Sequence, residues 1–205
     1  MHISDGVLSI PVLIGGYAAA VGIVAASTRE MDPREIPRVA VITSVFFVAS
    51  LIHVPIGHTS VHLILNGLVG IILGPMAFVS IFLGLVMQAL LFQHGGITTI
   101  GVNALMMGIP ALLSYRIFNL NKKIKFKYSA SIFGAIAGGS SIFLSAVILA
   151  ILLFSAGSEF IRVAQLALFA HMPVIIIEGT ICGFIVSFLT KVKPEILFFC
   201  AKPLN

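Results

Sequence analysis

The sequence is poor in charge and in cysteine. Asp, Glu, Lys and Arg make up only 9% of its 205 residues, whereas a soluble domain carries about 25%. Its two cysteines, Cys182 and Cys200, form neither a metal motif nor a disulfide framework. The nucleotide-binding pattern G-x-x-x-x-G-K-[ST] and the zinc-hydrolase pattern H-E-x-x-H are both missing. These absences exclude an ordinary soluble domain and ATP binding by this chain, and they leave no support for an enzyme.

Long apolar stretches take the place of the missing charge. Hydrophobic residues make up 59% of the chain, and uncharged stretches reach about 20 residues, which is the length of a membrane-spanning helix. The apolar runs are continuous rather than alternating, so membrane strands are not expected. The pattern predicts an all-α polytopic membrane protein of about seven transmembrane helices, with residues 1–205 in a single membrane-embedded domain. The expected spans are about 9–27, 39–53, 62–73, 76–92, 104–119, 129–154 and 164–189.

The basic residues predict the orientation of the chain in the membrane. Of the 12 Lys and Arg residues, all but Arg162 fall in alternate loops of one parity. By the positive-inside rule, the C-terminus is then cytoplasmic and the N-terminus lies outside. The net charge of +5 belongs to loops that face anionic membrane lipid, so a nucleic-acid partner is not expected. All six histidines fall in the outward half, and imidazole is the commonest metal ligand.

Small residues line one face of the first predicted helix. Ala18, Gly22 and Ala26 follow each other at intervals of four, so they share a face. Such a face allows a second helix to approach closely within lipid. The second helix belongs either to this chain or to a partner protein, and the sequence favours neither.

The first two residues, Met1 and His2, present three nitrogens in a row: the α-amine, the His2 amide and His2 Nδ1. When a metal displaces the amide proton, these atoms close two fused chelate rings in one plane, which suits Ni²⁺ or Cu²⁺. The opening lacks the features of a cleavable signal peptide, so we expect this terminus to persist. A further imidazole would complete a square. His62 is the favoured fourth ligand, with Asn66 one helical turn further on, and His58 is its rival.

Other polar residues are candidates for holding these ligands in place. A metal-bound imidazole usually donates its second N–H to a carboxylate, a carbonyl or an amide. For each candidate, ordinary capping or loop hydrogen bonding is the alternative. Glu178 lies in the middle of an apolar helix, where we expect a protonated, hydrogen-bonded structural role. The candidate partners of the ligands are Asp5, Asn66, Gln88, His94, Thr99 and Asn103.

Four stretches together resemble the substrate-binding membrane subunits of nickel and cobalt energy-coupling-factor transporters, the NikM and CbiM types. Any one of them alone would be a weak signal, but in this order they are specific, and together they span most of the chain. They are Met-His-Ile-x-Asp-Gly at 1–6, residues 60–67 continuing through Leu73-Gly74-Pro75, residues 88–103, and His-Met-Pro at 171–173 followed by Glu178-Gly179.

The resemblance implies a seven-helix subunit of the prokaryotic cell (inner or plasma) membrane that captures Ni²⁺ or Co²⁺ outside the cell. The implied ligands are Met1, His2 and His62, with the metal as substrate and no permanently bound cofactor. The implied partners are a transmembrane coupling subunit and two cytoplasmic ATPases, with a small accessory membrane subunit as a further candidate. The alternatives are a solitary divalent metal permease and an outward-facing metal sensor. The sequence does not decide between Ni²⁺ and Co²⁺.

Overall fold

A computed structural model describes residues 2–29, 31–56, 59–124 and 126–198, and it describes the side chains of all of these except residues 53–62 and 198. Most of this part of the chain is helical, and one short strand pair interrupts it. The strands β1 (His53–Ile56) and β2 (Thr59–His62) pair antiparallel. The helices are α1 (Ile10–Arg29), α2 (Ile36–Leu51), α3 (Asn66–Leu73), α4 (Ala77–Phe92), α5 (Ile100–Asn119), α6 (Ser129–Ala156), α7 (Ile161–Val192) and α8 (Glu195–Phe198).

The helices confirm a polytopic membrane protein of the all-α class. Among the described residues, five stretches are long and apolar enough to cross a membrane: Ile10–Arg29, Asn66–Phe92, Ile100–Lys123, Ser129–Ala156 and Ser158–Val192. Helix α2 has 16 residues and α3 has eight, fewer than the roughly 20 of a typical span. The number of crossings and the side on which each terminus lies therefore stay predictions.

The connection between α2 and α3 differs from the prediction. The expected helices ended at His53 and began near His62, but α2 ends at Leu51 and the strand pair follows, with His53 opposite His62. β-branched residues at four of the eight strand positions favour this extended structure. Leu65 then adopts a left-handed conformation, with φ 55°, immediately before α3. The predicted helical i+4 relation between His62 and Asn66 is therefore wrong.

Helix α3 lies at the centre of the bundle. All eight of its residues are buried, and it packs against α4, α5 and α6. Two glycines allow this close packing. A Cβ atom added at Gly67 would lie 2.7 Å from the Cα of Gly138, and one added at Gly70 would overlap the carbonyl group of Ala111. The short helix is thus enclosed by its neighbours through direct backbone contact.

Hydrogen bonds distinguish two ends of the bundle. At one end, which we call the site end, the N-terminal segment meets the last turns of α2 and α4 and the start of α5. At the opposite end, the guanidinium group of Arg38 in α2 donates to the carbonyl oxygens of Ile72 in α3 and Ile196 in α8. Helix α3 runs between these two ends.

Helix α1 lies at the periphery, with only two of its 20 residues buried. It crosses α5 closely at Gly16, where an added Cβ atom would lie 3.1 Å from the backbone nitrogen of Val102. Ala18, Gly22 and Ala26 lie on exposed parts of the helix, and Gly22 faces open space. The small-residue face therefore does not pack against the described part of this chain.

Candidate metal centre

A pair of reciprocal hydrogen bonds fixes the residue that follows His2. The N–H of Ile3 donates to Asn103 Oδ1 at 3.0 Å, and Asn103 Nδ2 donates to the Ile3 carbonyl, also at 3.0 Å. Thr99 Oγ1 donates to the same carbonyl at 2.8 Å. The Ile3 side chain is buried in the core. The backbone of the N-terminal segment is therefore held one residue away from His2.

The start of α5 supplies both of these side chains because of their spacing. Thr99 occupies the N-cap position and Asn103 follows at i+4, so the two lie on one face of the helix. Asn103 Nδ2 also lies 3.2 Å from Thr99 Oγ1. Both side chains are buried. Their alignment in one helical turn gives the N-terminal segment a fixed partner.

The imidazole of His2 is oriented by a chain of hydrogen bonds that has one direction. Its Nε2 lies 2.8 Å from Gln88 Oε1, Gln88 Nε2 donates to Ser50 Oγ at 2.9 Å, and Ser50 donates to the Phe47 carbonyl at 2.6 Å. The Phe47 carbonyl oxygen can only accept, so the Ser50 hydroxyl donates to it and accepts from Gln88 Nε2. Gln88 Oε1 is also only an acceptor, so His2 Nε2 donates to it. His2 then carries its proton on Nε2, and the ring's lone pair is on Nδ1. Nδ1 is the atom that can close a chelate ring with the His2 amide.

Burial also sets the charge of this ring. Removal from water lowers the pKa of His2 well below its ordinary value of 6.5, and the nearby positive N-terminal amine lowers it further. The hydrogen bond with Gln88 opposes this shift without cancelling it. The ring is therefore neutral at neutral pH, which is the form of imidazole that binds a metal.

Asp5 holds the N-terminal segment where it passes the α4–α5 loop. Its Oδ1 accepts from the backbone N–H of Thr98 at 3.0 Å and from the Thr98 hydroxyl. Two glycines leave room for this segment. Gly95 has φ 79°, and a Cβ atom there would lie 3.4 Å from His2 Cδ2, while one on Gly96 would overlap the Asp5 carboxylate. The Gly-Gly pair thus lets the loop lie directly against the residues that carry the candidate ligands.

His94 is a neighbour of His2, whereas Asn66 is not part of this cluster. The ring centroids of His94 and His2 are 6.2 Å apart. Asn66 is fully buried, and its Nδ2 donates to the Met107 carbonyl at 3.2 Å and to Ser145 Oγ at 3.0 Å. Five of the six predicted partners therefore lie around the N-terminal segment, and Asn66 braces α3 against α5 and α6 instead.

The remaining candidate ligands are only partly described. Met1 and His58 lie outside the described residues, and for His62 the structure gives the backbone at the end of β2. Within the described part of the chain, no three side chains of His, Cys, Asp or Glu converge on one point. The complete ligand set therefore stays a prediction.

Similarity to known proteins decides the family. The family model described as CbiM, cobalt uptake substrate-specific transmembrane region, matches residues 2–196. The chain belongs to the CbiM family. It is accordingly a membrane component of cobalt and nickel transport, and a transport protein rather than an enzyme.

Known relatives of this CbiM-family chain match more than half of it. A Haemophilus influenzae protein named for metal transport is 33% identical over 205 residues, with 96% of this chain and 97% of that protein covered. The fused nickel transport protein NikMN of Rhodobacter capsulatus is 36% identical over 115 residues, which cover 53% of this chain and 33% of that protein. A crystal structure of a transition metal transporter matches with a TM-score of 0.77 and 28% identity, covering 95% of both chains.

Two features of this CbiM-family chain were not visible from its sequence. Ser50 orients Gln88, but a serine near the end of an apolar helix gives no sign of such a role. The Glu178 carboxyl accepts from the N–H groups of Ile64 and Leu65, the latter at 2.8 Å. The expected hydrogen-bonded role of Glu178 is confirmed, and its protonation stays a prediction. The partners of Glu178 lie 114 and 113 positions away in the sequence.

Proposed function

We propose that this protein is the substrate-binding subunit of an ATP-driven importer of Ni²⁺ or Co²⁺, of the energy-coupling-factor type. It captures the metal through the Met1 amine, the His2 amide and Nδ1, and the His62 imidazole. The observation that carries the proposal is the hydrogen-bond chain from His2 through Gln88 to Ser50. These hydrogen bonds leave the lone pair of the His2 ring on Nδ1, the nitrogen that a terminal chelate requires.

Capture exchanges the water molecules of the metal for four nitrogens and releases protons. A planar set of four nitrogens favours low-spin Ni²⁺, and Co²⁺ also adopts it. Asn103 and Thr99 hold Ile3, so the amide of His2 is presented from a fixed backbone. This arrangement supports a planar site that suits Ni²⁺, Co²⁺ or Cu²⁺, so the choice among these metals depends partly on their availability.

The partners follow from what this chain carries and what it lacks. It has no nucleotide-binding motif, so the ATPases are separate subunits in the cytoplasm. The exposed small face of α1, with Ala18, Gly22 and Ala26, fits a helix of the transmembrane coupling subunit. The fused nickel relative extends well beyond the part that matches this chain, which supports the accessory membrane subunit as a further partner. We place the chain in the prokaryotic cell membrane, with its N-terminus outside and residues 1–205 in one domain.

The test is to purify the protein with a C-terminal tag, load it with Ni²⁺ or Co²⁺, and measure metal content and the visible absorption spectrum. We expect a single bound ion per chain with the spectrum of a planar nitrogen site. Co-expression with a coupling subunit and ATPases should then give ATP-dependent uptake, and the subunits should co-purify. Uptake without ATPases would indicate a solitary permease, whereas binding without any uptake would indicate a sensor.

A further inference from the structure

The three peptide N–H groups that follow His62 all have partners. Leu63 donates to the Ile52 carbonyl at 3.2 Å, which closes the base of the strand pair. Ile64 and Leu65 donate to the two oxygens of Glu178, one each. Glu178 is fully buried in α7. The backbone between the candidate ligand His62 and helix α3 is therefore held from a different part of the chain.

The local backbone explains why a carboxyl group fits here. Leu65 is left-handed, with φ 55° and ψ 15°, and α3 begins at the next residue without a side-chain cap among the described contacts. In such a turn successive N–H groups converge into a concave site for an acceptor. The first N–H groups of a helix also have no partner within the helix. Glu178 supplies two acceptor oxygens to this position from α7.

Other buried residues of α7 contribute to helix packing rather than to hydrogen bonding with the segment after His62. An added Cβ atom on Gly138 of α6 would lie 2.6 Å from Cys182 Cβ, and one on Gly134 would lie 2.9 Å from Val186 Cβ. These contacts pack α7 against α6. The carboxyl group of Glu178, in contrast, makes its hydrogen bonds with residues 64 and 65. Its contribution is therefore concentrated at the segment that carries His62.

We propose that Glu178 is a positioning residue for metal capture. It fixes the peptides after His62 so that this imidazole can complete the coordination begun by Met1 and His2. The inference rests on the proposed function, and specifically on His62 as the fourth ligand. Helix α7 thus influences the metal site through one buried side chain, which acts on the backbone next to His62.

The first experiment compares Glu178→Gln with the wild-type protein and with Val186→Ala, a matched change on the same buried face of α7. Gln keeps the size of Glu but offers one acceptor instead of two. We expect Glu178→Gln to weaken binding of Ni²⁺, measured by calorimetry, about 10–100-fold, as is typical for residues that orient a ligand. Val186→Ala should lower the thermal midpoint of the metal-free protein and leave Ni²⁺ affinity unchanged. Unchanged affinity in Glu178→Gln overturns the inference.

The second experiment is a double-mutant cycle with His62→Ala. When Glu178 acts through His62, Glu178→Gln should change Ni²⁺ affinity less than about twofold once His62 is gone. Both single variants should also shift the visible spectrum of bound Ni²⁺ in the same direction, which a loss of stability alone would not do. Equal losses in the two backgrounds overturn the inference. Where Glu178→Gln does not fold, Glu178→Asp replaces it and is held to the same two outcomes.

The outcomes separate this inference from the proposed function. A wild-type protein that does not bind Ni²⁺ or Co²⁺ contradicts the proposed function itself. Normal binding by His62→Ala removes His62 from the site and overturns the role of Glu178, while the chelate of Met1 and His2 stands. A loss in His62→Ala together with normal binding in Glu178→Gln overturns only the positioning role.

Discussion

Two buried side chains hold the peptides next to the two candidate histidines, and they do so in different ways. Asn103 meets Ile3 after His2 with one donor and one acceptor. Glu178 meets the two residues immediately before α3, Ile64 and Leu65, with two acceptors. The N-terminal segment presents the N–H and the C=O of one residue, whereas the left-handed turn at Leu65 presents two successive N–H groups. The conformation of each segment thus decides which polar side chain can hold it.

The largest effect is expected from a change that leaves both of these contacts intact. One alanine placed before Met1 turns the terminal amine into an amide and moves the free amine away from His2. Acetylation would likewise remove the basic lone pair of the amine. We expect uptake of Ni²⁺ and Co²⁺ by cells with the partner subunits to be abolished. An alanine added after Asn205 is the control and should be harmless. Full uptake by the N-terminally extended protein would show that the terminus is not the site.

The second largest effect is expected at His62, which precedes the two peptides that Glu178 binds. His62→Ala removes one of four proposed ligand nitrogens. Ni²⁺ affinity should therefore fall by more than the roughly 10–100-fold that is typical when a residue that only hydrogen-bonds to a ligand is lost. His53→Ala, at the paired position of β1, is the matched control. Calorimetry on both variants measures the difference. Normal affinity in His62→Ala would instead favour His58 as the fourth ligand.

A smaller effect is expected at the amide contact beside His2. Asn103→Asp keeps the acceptor for the Ile3 N–H but loses the donor to the Ile3 carbonyl. Ni²⁺ affinity should fall about 10-fold, at the lower end of the range for such partners. Asn121→Asp is the control, because Asn121 is also buried but bonds the Phe118 carbonyl in α5. Equal affinities in the two variants would mean that the Ile3 contact does not support the chelate.

The smallest effect is that of pH on the His2 ring of the metal-free protein. Burial lowers its pKa well below 6.5, so the ring should stay neutral as the pH falls from 8 to 6. The decline of metal affinity over this range then comes largely from the terminal amine, whose ordinary pKa is about 7.7–8.0. Ring resonances in NMR spectra measure this directly, with a free Met-His-Ile peptide as reference. A midpoint near that of the peptide would contradict the lowered pKa of this partly buried ring.

The sequence identified polar residues near the N-terminal segment but not the contacts that join them. Thr99 and Asn103 were both candidates, but the predicted fifth helix began near residue 104, whereas α5 begins at Ile100 and places the two residues one helical turn apart. The reach of Glu178 to residues 64 and 65 could not be anticipated, because an apolar helix does not indicate which backbone its one carboxyl meets. The strand pair was missed because hydrophobicity defines the helices on either side, about 39–53 and 62–73, and not the structure of the connection between them. The helical spacing of His62 and Asn66 was wrong because the left-handed Leu65 interrupts the helix before Asn66.

The fixed position of Ile3 has an entropic consequence. Chain ends are usually poorly ordered, and ordering the backbone of a residue costs about 1–2 kcal/mol. Here the hydrogen bonds of Ile3 and the burial of its side chain order this end as the protein folds. For the proposed chelate, metal capture would then require little further loss of backbone freedom next to Ile3. The residue beside a proposed ligand is thus ordered at an end of the chain that is usually the loosest part of a protein.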